Sequence, residues 1–403
     1  MRYTLTCLTP TLVGDGQKLA PIDYMVWRDQ VNVLDQRRIF RLLARGPRLE
    51  NYLTQIRKAE KLDFNSWGGF AQNFAGRRIP LESPGFAAHF DRARAEQLFI
   101  PTFAAGPNGA YVPGSALKGP VRSALLMDRL NEAQLSALGE RMKGERPPRY
   151  PAEVVESAVL GAAGISRTRP LNFADSSPLP AGSTKIYLLR TSSLIQKGNR
   201  YELGWKQVPR GTVEARRVDE ATPYFAEMAV PGARFTGEWH RGAAFQRPEM
   251  LRQLRWKQPP SGARVAKAAN AMARRILDEH KKYAEMAGLS ALGATLAGLD
   301  AELAAATESR GTCLFCLGWG TGFLSKSAMV DTESDIVRGI LRLMNFYARA
   351  VQTGMPFPKT RKVLFQNGVA ASLPGWVKLE LAEEAVPDVE QPVDAEPEMS
   401  QTP

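Results

Sequence analysis

The pattern of apolar and polar residues along the chain predicts a mixture of β-strands and α-helices. Polar and apolar residues alternate through Tyr3–Leu8 and Ala233–His240, which is typical of strands with one face buried. Apolar residues from Val265 to Tyr283 instead recur every three or four positions, which predicts an amphipathic helix over about 263–285. Further strands are predicted at Met25–Trp27, Val31–Leu34, Lys185–Arg190, Thr312–Leu317 and Trp376–Leu381, and further helices at Arg37–Arg45, Tyr52–Lys61, Glu132–Met142 and Ile336–Tyr347. We therefore expect an α+β fold.

One stretch, Tyr111–Leu125, combines a short apolar strand, a bend at Pro113-Gly114 and a helix. Pro120 is expected near the start of that helix, where its missing N–H costs little. Small residues at the bend let the backbone approach a ligand closely, and a helix N-terminus offers unpaired N–H groups to an anion. Lys118 and Arg122 are four positions apart and share one helical face. The arrangement suits a phosphodiester backbone, although an ordinary strand-to-helix connection with solvated basic residues explains it equally well.

A second stretch, Leu314–Lys326, repeats the order of strand, glycine-rich turn and lysine. Its glycines follow neither the dinucleotide-binding spacing nor the Walker A spacing, so no nucleotide cofactor is expected. Trp319 in the turn is a candidate for stacking on a base of single-stranded RNA, whereas Phe323 is expected to pack beneath the turn. The candidate RNA-binding residues of the two stretches are Gly114, Ser115, Lys118, Arg122, Gly318, Trp319, Gly320, Gly322 and Lys326.

The charge of the chain is unevenly distributed. The formal net charge is +12, yet the segment from Glu380 to Pro403 contains eight acidic residues and no lysine or arginine, which leaves +20 on residues 1–379. Such an excess of positive charge indicates a polyanionic partner, and nucleic acid is the usual one. A membrane surface is not the expected partner, because no lysine-rich amphipathic segment is present to bind one.

The length of 403 residues indicates two or three domains. The repeated order of strand, glycine-rich turn and lysine favours a pair of α+β domains, over residues 1–150 and 151–381, and the segment Gly144–Pro151 is the predicted break between them, although it is too short to prove a boundary. The second domain is expected to carry a helical insertion at about 263–306. The acidic, proline-bearing segment 382–403 is predicted to be disordered.

The chain carries no feature of a secreted or membrane protein. Its apolar run Ala284–Thr307 contains three acidic residues, so a helical hairpin is expected there and not a membrane span. The N-terminus does not resemble a signal peptide, and three cysteines imply no disulfide framework. We therefore expect a soluble cytoplasmic protein.

Few residues suit metal binding or acid–base catalysis. Cys313 and Cys316 form a C-x-x-C, but on a strand they face opposite sides and cannot share a metal. His280 is expected on a solvated helix face, and His240 in a structural role. Three aspartates in loops are candidate acids: Asp15, Asp23 and Asp175. Aspartates in turns usually hydrogen-bond the backbone, so no catalytic residue, metal or cofactor is assigned.

Several segments together resemble the RAMP proteins of CRISPR systems. They are Thr9–Gly16, Val112–Arg122, Leu317–Lys326, Pro358–Arg361 and Gly375-Trp376. Their order and spacing most resemble the fifth Csm subunit of type III-A effectors, over about residues 3–380. Leu12-Val13 stands where that family often has His-Ile, and Pro374 where it has leucine. Neither departure touches a basic position.

The resemblance implies RRM-like (ferredoxin-like) RAMP domains and membership of a ribonucleoprotein that silences invading RNA. It implies a subunit that caps the filament at the 3′ end of the crRNA and takes part in crRNA 3′-end maturation. The implied neighbours are a backbone RAMP subunit of the Csm3 type and a small subunit of the Csm2 type. Target RNA and a trimming nuclease are further candidate partners.

Two other functions remain open at this point. The chain is alternatively a RAMP endoribonuclease that processes guide precursor or cuts target RNA, with Asp15, Asp23 or His240 as the essential residue. A third interpretation is a protein-docking scaffold whose contact with RNA is incidental.

Overall fold

The computed structural model describes residues 1–44, 46, 48–58, 73–207, 214–253, 260–352 and 354–382. The predicted disordered tail lies outside these residues except for Ala382, as does the predicted helix end at Ala59–Lys61. Within the described residues the chain has the α+β fold predicted from its sequence pattern.

Strands and helices are interspersed along the chain. The strands are β1 (Arg2–Cys7), β2 (Lys18–Leu19), β3 (Tyr24–Trp27), β4 (Gln30–Leu34), β5 (Ala75–Pro80), β6 (Ile100–Pro101), β7 (Ala105–Gly106), β8 (Gly109–Ala110), β9 (Leu171–Phe173), β10 (Thr184–Lys197), β11 (Arg200–Lys206), β12 (Glu214–Ala215), β13 (Tyr224–Ala229), β14 (Arg234–Arg241), β15 (Thr312–Cys316), β16 (Thr360–Gln366), β17 (Val369–Ser372) and β18 (Trp376–Leu381). The α-helices are α1 (Gln36–Leu43), α2 (Leu49–Lys58), α3 (Ala87–Arg92), α4 (Gly114–Met127), α5 (Glu132–Lys143), α6 (Pro151–Leu160), α7 (Pro248–Gln253), α8 (Gly262–Met286), α9 (Ser290–Glu308), α10 (Asp335–Leu343) and α11 (Asn345–Gln352).

The first sheet is antiparallel and has the strand order β15-β18-β1-β14-β9. In the central strand β1, buried residues alternate with exposed or half-buried ones, as its sequence predicts. Tyr3 lies opposite Gly237 on β14, and its ring occupies the space that a side chain at Gly237 would need. Its hydroxyl donates to the Ala174 carbonyl at 3.0 Å.

The second sheet is organised around the long strand β10. Strand β16 pairs with β10 through Leu188–Ser193, while β13 and β11 follow one another along the opposite edge of β10. Strand β12 extends the sheet beyond β11, and β17 extends it beyond β16. An antiparallel bridge between Thr11 and Ala229 joins the segment after β1 to β13.

The predicted helical insertion is the pair α8 and α9, which pack against β15 and against each other. Ser261 caps α8 by accepting the Arg264 N–H. Asn270 ties α8 to β15, because its amide donates to the Thr312 carbonyl and accepts the Leu314 N–H, both at 3.0 Å. Apolar side chains from α4, α8, α9 and the first sheet form the largest buried core.

Three expected local structures are wrong. No strand forms at Tyr111-Val112; Ser176 Oγ accepts the Val112 N–H instead. Helix α4 begins at Gly114, so Pro120 lies inside it and not near its start. The helix predicted over Ile336–Tyr347 is two helices, α10 and α11, because Met344 adopts an extended backbone between them.

The first sheet combines strands from both ends of the chain. Strand β1 belongs to the predicted first domain, but both of its partners, β14 and β18, belong to the predicted second domain. The division of the chain into two domains at residue 150 therefore stays a prediction. Among the described residues, no helix is both long and apolar enough to cross a membrane.

Candidate nucleic-acid interface

The N-terminus of α4 is occupied from within the protein. The Gly114 N–H donates to Asp175 Oδ1 at 2.9 Å, and a Cβ at Gly114 would overlap the Phe173 carbonyl. A phosphate would therefore have to displace the Asp175 carboxylate to receive this hydrogen bond. Ser115 next to it is exposed. An anion that binds at the first stretch would therefore contact side chains along α4 more readily than the Gly114 N–H.

Lys118 and Arg122 both lie on α4 but in different environments. The Arg122 side chain is 51% exposed, and its Nη1 lies 3.3 Å from a carboxylate oxygen of Glu156 on α6. Burial lowers the pKa of Lys118, and the nearby positive charges of Arg122 and Arg169 lower this pKa further. These three basic residues make the region positive, with Glu156 offsetting part of the charge of Arg122.

The second stretch forms a turn after β15 that is built on left-handed glycines. Gly318, Gly320 and Gly322 have φ of +88°, +85° and +83°, a region that residues with a Cβ rarely adopt. A Cβ at Gly318 would overlap the Leu12 carbonyl, which accepts the Trp319 N–H at 2.8 Å. The turn is thus fixed against the segment that follows β1. Lys326 at its end is exposed.

Side chains within the same turn hold its shape. The Thr321 hydroxyl donates to the Gly318 carbonyl at 3.1 Å, and the Ser325 hydroxyl donates to Thr321 Oγ1 at 2.8 Å. The Phe323 ring packs edge-on against Tyr347 and Phe357, with centroid distances of 5.2 and 5.1 Å. The prediction that Phe323 packs beneath the turn is confirmed.

The two stretches meet at one cleft, which has a volume of about 1040 Å³. Helices α4, α6 and α11, the turn after β15 and the start of β16 surround it. The predicted site residues that line it are Arg122, Gly320, Gly322 and Lys326. The predicted site residues outside its lining are Gly114, Ser115, Lys118, Gly318 and Trp319. The structure therefore brings part of each stretch together, although the two lie about 200 positions apart in the sequence.

Four basic residues that were not among the predicted site residues also line the cleft: Lys206, Lys359, Arg361 and Lys362. The family resemblance already marks Pro358–Arg361, so Lys359 and Arg361 carry a signal in the sequence. Lys206 and Lys362 carry none, because strands distant in sequence bring them together only in the folded protein.

A buried pair beside the cleft corrects the prediction for His280. His280 is buried, and its Nδ1 accepts the Arg361 Nε–H at 3.0 Å. Burial, and then the charge of Arg361, lowers the pKa of His280 well below its usual range, so the imidazole is neutral at pH 7. Burial also lowers the pKa of Arg361 to about 10. His280 is thus a hydrogen-bond acceptor for a buried guanidinium and does not lie on a solvated face.

Exposed aromatic surface lies next to the basic residues. The side chain of Phe346 is 87% exposed, although phenylalanine is usually buried. It lines the cleft and packs perpendicular to Tyr347 with a centroid distance of 5.0 Å. An exposed ring beside basic side chains is the combination that single-stranded nucleic acids bind, through stacking and charge.

The candidate acids all accept backbone hydrogen bonds. Asp15 accepts the Gln17 N–H at 2.9 Å, Asp23 the Ala20 N–H at 2.7 Å, and Asp175 the Gly114 N–H. His240 is exposed on β14. Asp15 and Asp23 therefore shape their own loops, whereas Asp175 holds the start of helix α4.

The cysteines are free and buried. Cys313 and Cys316 lie on β15, and burial raises the pKa of both thiols, that of Cys313 to about 12. In the parts of the chain that the structure describes, no group of three or more His, Cys, Asp or Glu residues is arranged to hold a metal ion.

Known proteins with a similar sequence pattern or a similar fold were found by comparison. A family model described as the RAMP superfamily matches residues 4–325. No curated protein matches the chain. One similar solved structure is a chain of a Csm–crRNA–target RNA ternary complex of a type III-A CRISPR-Cas system, with a TM-score of 0.64 and 18% identity over 94% of this chain and 100% of that one. Another is Csm5 of T. onnurineus, with a TM-score of 0.61 and 18% identity over 93% of this chain and 99% of that one. At such identity these similarities show the fold alone.

Proposed function

Because this chain belongs to the RAMP superfamily, we propose that it is an RNA-binding subunit of a type III-A CRISPR effector ribonucleoprotein. The observation that carries the proposal is the cleft at which the two glycine-containing stretches meet, lined by Arg122, Lys326 and further basic residues. Support comes from the fold, which is similar over nearly its whole length to a chain of a Csm–crRNA–target RNA complex.

In this proposal the guide RNA is held mainly by its backbone. Arg122 and Lys326 contact phosphates, while Phe346 offers an exposed ring on which a base stacks. Lys118 extends the positive surface along α4 outside the cleft. Contacts of this kind do not read sequence, which suits a subunit that must accept many different guides.

The finer role that we propose is to cap the effector filament at the 3′ end of the crRNA. The subunit would lie beside a backbone RAMP subunit and near the small subunit, and would take part in 3′-end maturation during antiviral defence. A guide RNA carrying a photoreactive group at its 3′ end should cross-link to cleft residues in the assembled complex. Cross-linking only from a group at the 5′ end would contradict this placement.

RNA binding itself is tested with the full chain and a labelled single-stranded RNA over a range of salt concentrations. The variant R122A/K326A removes two phosphate contacts, so the slope of log affinity against log salt should fall by about 1.4. The loss should be similar for RNAs of different sequence. Unchanged affinity and slope would remove these two residues from the site.

A matched control separates local contacts from net charge. Arg200 and Arg234 are exposed and lie outside the cleft lining. The variant R200A/R234A removes the same charge, and its salt slope should stay near that of the wild type. An equal loss in both variants would show that only overall charge matters.

We also propose that the subunit binds RNA without cleaving it. The backbone hydrogen bonds of Asp15 and Asp23 support this, because each carboxylate already serves a loop. Purified protein incubated with guide precursor or target RNA should leave both intact. Cleavage that D15N, D23N or H240A abolishes would instead establish the endoribonuclease alternative.

A further inference from the structure

Lys362 occupies an unusual position for a lysine. It lies on β16 opposite Thr191 of β10 and lines the cleft. Its Nζ is 3.7 Å from the centroid of the Tyr224 ring and 4.8 Å from that of the Trp319 ring. Within the described part of the chain, no hydrogen bond or ion pair of the Lys362 side chain is found, and the Tyr224 and Trp319 rings are the neighbours of its ammonium.

The glycine-rich turn after β15 forms part of the surroundings of the Lys362 side chain. A Cβ at Gly320 would lie 3.1 Å from Pro374 Cγ and 3.6 Å from Lys362 Cδ, so the turn packs directly on the lysine stem. The hydrogen bond from the Trp319 backbone N–H to the Leu12 carbonyl fixes the backbone from which the indole reaches the Lys362 ammonium. The turn therefore positions the Lys362 ammonium in addition to contributing its own residues to the cleft.

We propose that Lys362 binds a phosphate group of RNA in the cleft, and that Trp319 is a positioning residue that holds Lys362 in place. This inference rests on the proposed function and assigns Trp319 a role different from base stacking. Lys362 is partly buried, and a partly buried cation without a carboxylate partner costs free energy that an anionic ligand offsets. The aromatic rings stabilise the ammonium only in part.

The charges around Lys362 favour an anion. Among the described residues that line the cleft, Glu156 is the single carboxylate, and it pairs with Arg122. The other titratable groups of the lining are the cations of Lys206, Lys326, Lys359 and Arg361, the neutral His280, the Cys316 thiol and the Tyr347 phenol. Tyr224 on β13 lies outside the lining but faces the Lys362 ammonium. Burial raises the pKa of Tyr224, so this group stays neutral near pH 8.

The site has a pH signature. Burial lowers the pKa of Lys362 to about 8, and the ammonium is the form that attracts phosphate. RNA affinity should therefore be highest below about pH 8 and fall by about tenfold as the pH rises above it. Oligoadenylate is the suitable probe, because its bases do not titrate in the alkaline range.

The experiment measures binding of labelled oligoadenylate to the full chain against pH and salt. K362M should weaken binding at neutral pH by about tenfold, lower the salt slope by about 0.7, and lose the pH dependence. K362R, which stays charged, should keep the slope and also lose the pH dependence. K326M serves as control: it should lose slope but keep the pH profile.

Trp319 has its own readout. W319A exposes Lys362 to water, which should move the midpoint of the pH profile upward, towards that of an ordinary lysine. W319F keeps a ring and should keep the midpoint. A base-stacking tryptophan would instead weaken binding by one factor at every pH. That result would overturn the positioning role.

The remaining outcomes separate the two proposals. If K362M binds with the affinity, salt slope and pH profile of the wild type, the Lys362 site is wrong and the proposed function stands. If wild type and K362R both fail to bind RNA, the Lys362 site and the proposed RNA-binding function are both wrong.

Discussion

Gly318 and Gly322 have the same left-handed backbone, with φ of +88° and +83°, but different surroundings. A Cβ at Gly318 would overlap the Leu12 carbonyl, whereas nothing lies within 4 Å of a Cβ at Gly322. We expect G318A to lower the free energy of unfolding by about 3 kcal/mol and G322A by about 1 kcal/mol. Urea unfolding of both variants measures the difference. Equal losses would show that the backbone moves apart at Leu12 at little cost.

His280 makes the stability of the protein depend on pH. Burial and the charge of Arg361 lower the pKa of His280 in the folded state, so the unfolded state binds a proton more readily. The contribution of His280 to the free energy of unfolding is therefore fully present above about pH 6.5. Below that pH the contribution is lost, by up to about 1.4 kcal/mol per pH unit.

The variant H280Q isolates this effect, because glutamine can accept the Arg361 Nε–H but does not titrate. Urea unfolding between about pH 7 and about pH 5 should show wild type losing stability relative to H280Q. Parallel stability curves for the two proteins would contradict a neutral buried histidine.

His280 also shows what a local pattern misses. Its charged neighbours in sequence favour a solvated face, and that prediction was wrong. The helical spacing instead places His280 on the buried face, since Ile276 lies four positions before it and Tyr283 three positions after it, and both are buried. Lys362 is a different case, because nothing near it in sequence indicates Tyr224 or Trp319.

At the scale of elements, sequence periodicity predicted the strands and helices whose bounds follow from an alternation of buried and exposed residues. Strands β1 and β14 and helix α8 were predicted to within two residues of their observed bounds. The start of α4 and the break at Met344 were not predicted, because tertiary contacts set them. Asp175 accepts the first N–H of α4 from 61 positions away, which no local pattern records.

The Asp175 contact gives a prediction for that helix. D175A removes the acceptor at the N-terminus of α4, and we expect it to lower the free energy of unfolding by about 1–2 kcal/mol. D175N keeps an acceptor oxygen and loses only the charge, so its loss should be about 0.5 kcal/mol. Urea unfolding compares the three proteins. Wild-type stability in D175A would show that another group satisfies the Gly114 N–H.

At the scale of the whole molecule, the site depends on how distant segments pair. Arg122 comes from α4, Lys326 from the turn after β15 and Lys362 from β16, and the pairing of β10 with β16 brings the last of these to the cleft. The family resemblance predicted the class of fold, since the order of motifs carries it. It did not predict which motif residues face one another, because that depends on strand register and side-chain direction.

The acidic C-terminal segment lowers the net charge of the whole molecule, and this should slow its association with RNA. Truncation after Ala382 removes seven carboxylates and raises the formal net charge from +12 to +19. At low salt we expect the association rate with RNA to rise several-fold, because attraction between the protein and a polyanion increases, and the gain should vanish when salt screens it. A full-length variant with the seven carboxylates changed to amides should match the truncation. If only the truncation gains, steric exclusion by residues 383–403, and not their charge, slows RNA association.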